Sequence, residues 1–187
     1  MNTDSDTDTN AAARTARPAR RFIYWMILAA VVLIADQLTK WLILEHVPLF
    51  SKISVLPFLN ITHQENPGAA FSFLANAGGW QRWFFTGLAS IVSLFIAGWL
   101  WQLRRERQTV LPLGLALVLG GAVGNLVDRL HLGHVIDFIQ VLIAGWPFPS
   151  FNVADAAISV GAAFLIIDAL FLTGRETTSA PQQDAES

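Results

Sequence analysis

The chain has 187 residues, of which 53% are hydrophobic and 14% are charged, and its mean hydropathy is +0.48. Soluble domains are about 45–50% apolar and about 25% charged, so the composition excludes a disordered chain and disfavours a water-soluble one. The net charge of −2 gives no indication of nucleic-acid binding. The chain has no cysteine, which excludes disulfides, thiolate metal sites and a cysteine nucleophile.

Four segments are apolar enough to cross a bilayer as helices, which takes about 20 residues. They are residues 22–44, 83–103, 111–130 and 154–172. Eight of the twelve Lys and Arg residues lie before the first segment, between the second and third, or after the fourth. The positive-inside rule therefore predicts that both termini are cytoplasmic. The predicted fold class is an all-α polytopic membrane protein.

The segments outside these helices divide into two tails and two extracytoplasmic stretches. The composition of residues 1–21 and 173–187 predicts disordered cytoplasmic tails around one four-span domain, residues 22–172. The extracytoplasmic stretches are residues 45–82 and 131–153. The first has β-like runs at 53–56 and 58–63, separated by Pro57, and then a predicted turn at Asn66-Pro67-Gly68. A small extracytoplasmic β-rich cradle on the membrane surface is predicted there, and residues 45–75 are expected to close over a site.

Polar side chains converge on the extracytoplasmic face of the predicted bundle. A charge inside a span is costly, and each one is by default a functional candidate. Two carboxylates that share one proton can activate water, one as the general base and the other as an acid that hydrogen-bonds a carbonyl and protonates a leaving amine. Asp137 and Asp155 are the candidate pair. The converging residues are Asp36, Lys40, Asn66, Asn125, Asp128, Arg129, Asp137, Asn152 and Asp155.

Several of these residues also have a purely structural interpretation. Asp36 and Lys40 are spaced as an i, i+4 ion pair, and a site role and a structural role both remain open. Asn152 and Asp155 have the spacing of a capping box at the start of a helix. The Gly-x-x-x-Gly pattern at 120–124 is typical of helix packing.

Two other functions are compatible with parts of the sequence. His131 and His134 have ligand-like spacing for zinc, with Asp128 or Asp137 as a third ligand, but no HExxH motif occurs. A transporter or proton relay would also use intramembrane carboxylates, but its acids should cross the bilayer instead of gathering at one face.

Five sequence blocks together resemble the lipoprotein signal peptidases, also called signal peptidase II. The resemblance covers residues 22–172. Pro67 departs from the residue often found at its position in the family, and the amino-terminal tail is longer than the family core. The blocks are DQLTK (36–40), NPGAAF (66–71), GGAVGNLVDR (120–129), VIDF (135–138) and FNVAD (151–155).

The resemblance implies an intramembrane aspartic peptidase of the bacterial inner membrane with its active site at the periplasmic face. Members remove the signal peptide from prolipoproteins, cleaving before a diacylglyceryl-modified cysteine. By the same matching, Asp137 and Asp155 are catalytic, and no metal or other cofactor is expected. The expected partners are lipid-modified prolipoproteins and membrane lipids, and the protein is expected to be a monomer. The matched supporting or substrate-binding residues are Asp36, Lys40, Asn66, Gly68, Asn125, Asp128, Arg129 and Asn152.

Overall fold

The computed structural model describes residues 4–68 and 80–172, with side chains from residue 19 onward up to residue 171. Four long helices carry most of this part of the chain. Helix α2 continues into a short 3-10 helix at Leu103–Arg105, and α4 continues into a π-helical turn at Asp168–Leu172. The helices are α1 (Asp4–His46), α2 (Trp80–Gln102), α3 (Val110–His131) and α4 (Val153–Ile167).

The predicted membrane spans are confirmed to within a few residues at each end. Helical segments long and apolar enough to cross a membrane are Ala19–His46, Trp80–Arg105, Val110–His131 and Val153–Phe171. Large apolar side chains face outward along them, as Leu94 does with 75% of its surface exposed. Such a surface is rare on soluble monomers and is suited to contact with lipid.

The amino-terminal segment differs from its prediction. Helix α1 begins at Asp4, so the backbone of residues 4–21 is helical where the composition predicts disorder. A physical reason is that Ala and Arg are good helix formers, and a segment joined to an existing helix extends it without a new nucleation step. Residues 173–187, the other predicted tail, lie outside the described residues.

Glycines let α3 pack closely against its neighbours, as the Gly-x-x-x-Gly pattern predicts. A Cβ at Gly120 would lie 2.6 Å from the carbonyl oxygen of Ala29 in α1. A Cβ at Gly121 would collide with the carbonyl of Ala154 in α4. Helix α3 therefore lies at the centre, packed against α1, α2 and α4.

A four-stranded antiparallel sheet covers one end of the bundle, in the order β1-β2-β3-β4. The two β-like runs predicted from sequence form β1 and β2. The sequence indicates no strand in the segment 131–153, yet this segment contributes β3 and β4, and Asp137 lies in β3. The strands are β1 (Lys52–Leu56), β2 (Leu59–Asn66), β3 (Val135–Ile143) and β4 (Trp146–Pro147).

The sheet packs onto the helix ends through apolar side chains. Ile61 of β2 pairs with Ile139 of β3, and both pack against a buried cluster that includes Ile43 and Val47 at the end of α1. Ile136 and Phe138 of β3 belong to the same cluster. This packing fixes the residue between them, Asp137, at the junction of sheet and bundle.

Candidate active site

Asp137 and Asp155 reach the same place from different elements. Asp137 is in β3 between two buried neighbours, Ile136 and Phe138, and it is only 4% exposed. Asp155 is in the first turn of α4 and is half-buried. Both therefore stand at the end of the bundle that the sheet covers.

Asn152 bridges the two carboxylates, because its side chain donates to Asp137 and its backbone N–H donates to Asp155. Its Nδ2 donates to Asp137 Oδ1 at 2.8 Å, while its Oδ1 accepts from the backbone N–H of Asp155 at 2.9 Å. The backbone N–H of Asn152 in turn donates to Asp155 Oδ2. The capping box predicted from sequence is thus present, and the same cap holds the second aspartate beside the first.

Asn125 of α3 contacts both Asp155 and Asn152. Its Nδ2 donates to Asp155 Oδ1 at 2.7 Å, and its Oδ1 accepts from Asn152 Nδ2 at 3.2 Å. Asp155 therefore accepts hydrogen bonds from two neighbouring N–H donors at a helix N-terminus, and these bonds hold its carboxylate in place.

Asn66 holds Asp137 from the other side. The predicted turn is present, because Asn66 Oδ1 accepts from the N–H of Gly68 at 2.9 Å, and Gly68 has a φ of +103° that glycine tolerates best. Fixed in this way, Asn66 Nδ2 donates to Asp137 Oδ2 at 3.0 Å. Gly68 also packs on Phe85 of α2, since a Cβ there would lie 2.6 Å from the ring.

The surroundings raise the pKa of Asp137 to about 6. Burial is the largest cause, because it disfavours the charged form, and the nearby charge of Asp155 acts in the same direction. Hydrogen bonds from Asn66 and Asn152 and the charge of Lys40 lower the pKa and partly offset this rise. Asp137 is thus poised to gain or lose a proton close to neutral pH.

A buried ion triplet lies on the α1 side of the pair. Lys40 Nζ is 2.7 Å from Asp36 Oδ2, 2.8 Å from Asp128 Oδ2 and 2.9 Å from Asn125 Oδ1. The i, i+4 ion pair predicted for Asp36 and Lys40 is therefore present, and Asp128 of α3 completes it. Through Asn125 the triplet is in contact with Asp155.

Arg129 lies beside the site and is half-buried. Its Nη1 donates to the carbonyl of Asn125 at 3.3 Å, and its Cζ is 5.4 Å from the centre of the Phe85 ring. Within the described residues, its buried Nε has no hydrogen-bond partner. The guanidinium of Arg129 thus places hydrogen-bond donors beside the site.

The described residues do not provide the ligand geometry that the zinc alternative requires. Among residues 19–68 and 80–171, no three His, Asp or Glu side chains are grouped so that they could hold a metal ion. His134 Nε2 is 3.4 Å from Glu65, and the two candidate third ligands, Asp128 and Asp137, are held by Lys40 and by Asn66 and Asn152.

Two contributors are missed by the sequence reasoning. Gln37 Nε2 donates to Asp128 Oδ1 at 2.8 Å and lies 3.3 Å from Asp36 Oδ2. The sequence could have indicated this role, because Gln37 lies on the helical face that carries residues 36 and 40. Arg82 of α2 donates to the carbonyls of Arg129 and Leu130 at the end of α3. No sequence pattern marks that contact, because the partners are remote in the chain. Of the segment 45–75 that was expected to close over the site, residues 69–75 lie outside the described residues.

Comparison with known proteins identifies the family. The sequence pattern of the family described as signal peptidase (SPase) II matches residues 28–171. The chain belongs to the signal peptidase II family. A relative from Acinetobacter baumannii, named "Lipoprotein signal peptidase", is 49% identical over 150 residues, which are 80% of this chain and 85% of the relative. A relative of the same name from Cupriavidus pinatubonensis is 46% identical over 171 residues, or 86% of this chain and 96% of the relative.

Solved structures agree with this membership. A bacterial membrane enzyme determined by the in meso method at 2.3 Å resolution has a TM-score of 0.70 and 30% identity, and the match covers 87% of this chain and 94% of that one. A second, at 1.9 Å resolution, has a TM-score of 0.69 and 32% identity over 80% and 94% of the two chains. A peptidase with several membrane-spanning helices is therefore the class of this protein.

Proposed function

We propose that this member of the signal peptidase II family removes the signal peptide from prolipoproteins by aspartic peptidase chemistry at Asp137 and Asp155. The family match and the names of its relatives support prolipoprotein processing. The observation that carries the catalytic assignment is the bridging of the two carboxylates by Asn152 at a buried junction of sheet and bundle. The alternative of a transporter or proton relay is not favoured, because the other buried acids, Asp36, Asp128 and Asp137, gather at one end of the helices and Asp168 lies at the other end of α4.

In the proposed reaction Asp155 is the general base. It removes a proton from a water molecule, and the resulting hydroxide forms a bond to the scissile carbonyl carbon. Asn125 and Asn152 keep its carboxylate in place while the water attacks.

Asp137 carries the shared proton. Protonated, it hydrogen-bonds the scissile carbonyl oxygen and stabilises the tetrahedral anion, and it then gives the proton to the leaving nitrogen as the C–N bond breaks. The pair therefore holds one proton before and after cleavage. The proton is on Asp137 at the start and on Asp155 at the end. Burial raises the pKa of Asp137 to about 6, toward the protonated form that this role requires.

The substrate must reach this pair from the bilayer. A signal peptide is apolar, and each buried CH₂ of a diacylglyceryl group contributes about 0.8 kcal/mol of membrane affinity. A helix hides its carbonyls in its own hydrogen bonds, so we propose that the scissile segment binds in extended form. Asn66, Asn125, Asn152 and Arg129 are the proposed contacts, and Asp36, Lys40, Gly68 and Asp128 support them.

We also propose that the sheet lies at the periplasmic surface of the bacterial inner membrane, with both termini in the cytoplasm. The distribution of Lys and Arg supports this orientation. Phe50, Val55 and Trp146 of the sheet region are 78%, 55% and 79% exposed, and such side chains suit the lipid interface. Because one chain supplies both aspartates, a monomer is sufficient for the reaction.

Purified protein and a diacylglyceryl-modified precursor test the catalytic assignment. Asp137→Asn and Asp155→Asn should each lower the cleavage rate by about 10³-fold or more, since Asn has the size of Asp but is not a base. Glu45→Gln changes an exposed carboxylate of α1 and should leave the rate unchanged. Near-normal turnover by either folded dyad variant would show that the pair is not catalytic.

The orientation has its own test, made simple by the absence of native cysteine. A Ser54→Cys variant places a thiol in exposed β1, and a Thr109→Cys variant places one between α2 and α3. In cells with a permeable outer membrane, an impermeant maleimide should label the first variant and reach the second only after lysis. The opposite pattern would reverse the proposed topology.

A further inference from the structure

Each acid of the buried ion triplet also accepts a backbone hydrogen bond. Asp36 Oδ1 accepts from the N–H of Ala154 at 2.9 Å, and Asp128 Oδ2 accepts from the N–H of Ile136 at 3.2 Å. These are the residues immediately before Asp155 and Asp137. Both bonds are buried, and neither acid touches the catalytic carboxylates directly.

Lys40 joins the two anchoring acids. Its Nζ lies between Asp36 Oδ2 and Asp128 Oδ2, and its side chain is 3% exposed. A continuous path therefore runs from the start of α4 through Asp36, Lys40 and Asp128 to strand β3. The two elements that carry the catalytic pair are tied to one cation.

We infer that the Asp36–Lys40–Asp128 triplet is a positioning device that sets the separation of Asp137 and Asp155 by anchoring the amide that precedes each of them. This inference rests on the proposed function of the pair. A displacement of about 1 Å in a catalytic group can lower the rate about 10²-fold. Stability alone is a weak explanation for the triplet, since a buried ion pair often gives no more stability than apolar residues of the same shape.

The atoms used by the two acids differ, and the difference provides a test. Asp36 uses one oxygen for Lys40 and the other for Ala154, so it needs two acceptors. Asp128 uses a single oxygen, Oδ2, for both Lys40 and Ile136, and its Oδ1 faces only the half-buried Gln37. An Asn side chain has one acceptor oxygen. At position 128 that oxygen keeps both bonds of Oδ2 when the half-buried Gln37 turns its amide oxygen toward the new NH₂ group, whereas at position 36 one of the two bonds is lost.

The experiment measures kcat and KM of purified variants on the lipidated precursor, together with the thermal midpoint of each protein. Asp36→Asn and Asp128→Ala should lower kcat about 100-fold with little change in KM. Asp128→Asn should retain at least about ten times the kcat of Asp128→Ala. Glu45→Gln, on the same helix as Asp36, controls for the loss of a carboxylate.

Three results would overturn the inference. One is an equal loss of kcat in Asp128→Asn and Asp128→Ala. Another is an equal loss of kcat in Asp36→Asn and Asp128→Asn proteins that have the same thermal midpoint. The loss would then follow from removing a negative charge and not from breaking an amide anchor. The third is a lowered midpoint with kcat per folded molecule unchanged.

If Asp36→Asn does not fold, the two Asp128 variants carry the test by themselves. The outcome is also separable from the catalytic assignment. Inactive Asp137→Asn and Asp155→Asn proteins beside active Asp36→Asn protein would refute the positioning role alone.

Discussion

Replacing Asp137 by Asn should change how the stability of the protein depends on pH. In the folded protein the pKa of Asp137 is raised from 3.8 to about 6, first by burial and also by the charge of Asp155. The folded state therefore binds the proton more tightly than the unfolded state does. Stability from this group is fully present below about pH 4 and is lost as the pH rises through about 6.

The size of the effect follows from the shift. A difference of about 2 pKa units corresponds to about 3 kcal/mol between the ends of this range. The Asn side chain does not titrate, so the variant does not lose this stability as the pH rises. It keeps only one acceptor, while both Asn66 and Asn152 present donors that their other bonds hold in place, which costs about 1–3 kcal/mol at every pH.

Thermal unfolding in one detergent, followed by the fluorescence of the seven tryptophans, measures this from pH 4 to pH 8. The variant should be less stable than the parent protein at pH 4. Between pH 4 and pH 8 its thermal midpoint should rise by about 5–10 °C relative to that of the parent, at about 2–4 °C per kcal/mol. Glu45→Gln should follow the parent curve. Parallel curves for the Asp137→Asn variant and the parent would show that burial does not hold a proton on Asp137.

Two further predictions concern helix packing and rate. A Cβ at Gly124 would lie 2.6 Å from Asp36 Oδ2, whereas a Cβ at Gly98 of α2 would meet nothing within 4 Å. Gly124→Ala should therefore lower both the thermal midpoint and kcat. Gly98→Ala should keep the midpoint or raise it slightly, since Ala adds up to about 1 kcal/mol of helix propensity to the free energy of unfolding; similar midpoints for the two variants would contradict the close approach. The pH profile of kcat/KM should be bell-shaped, with an acid limb from protonation of the base and an upper limb near the Asp137 pKa of about 6. The upper limb of kcat should lie at higher pH because the substrate covers the site, and a profile without an upper limb before unfolding would argue against one shared proton.

The sequence by itself determined the features that depend on local geometry. The spans follow from length and apolarity, since a backbone in lipid must satisfy its own hydrogen bonds and a helix does so within one segment. The Asn152–Asp155 cap, the Asp36–Lys40 pair and the Asn66–Gly68 turn involve residues two to four apart, so their contacts follow from helix and turn geometry. The family blocks then indicated which polar residues to group together.

Only the tertiary structure decided how these local pieces meet. The run at 135–143 is an apolar stretch beside a span, and its strand character depends on pairing with β2, about 70 residues earlier in the chain. The same holds for the bond from Asn66 to Asp137 and for the two anchors from Asp36 to Ala154 and from Asp128 to Ile136. Contacts between remote residues depend on how α1, α3, α4 and the sheet pack as bodies, and no sequence spacing encodes which oxygen of a carboxylate then faces which N–H.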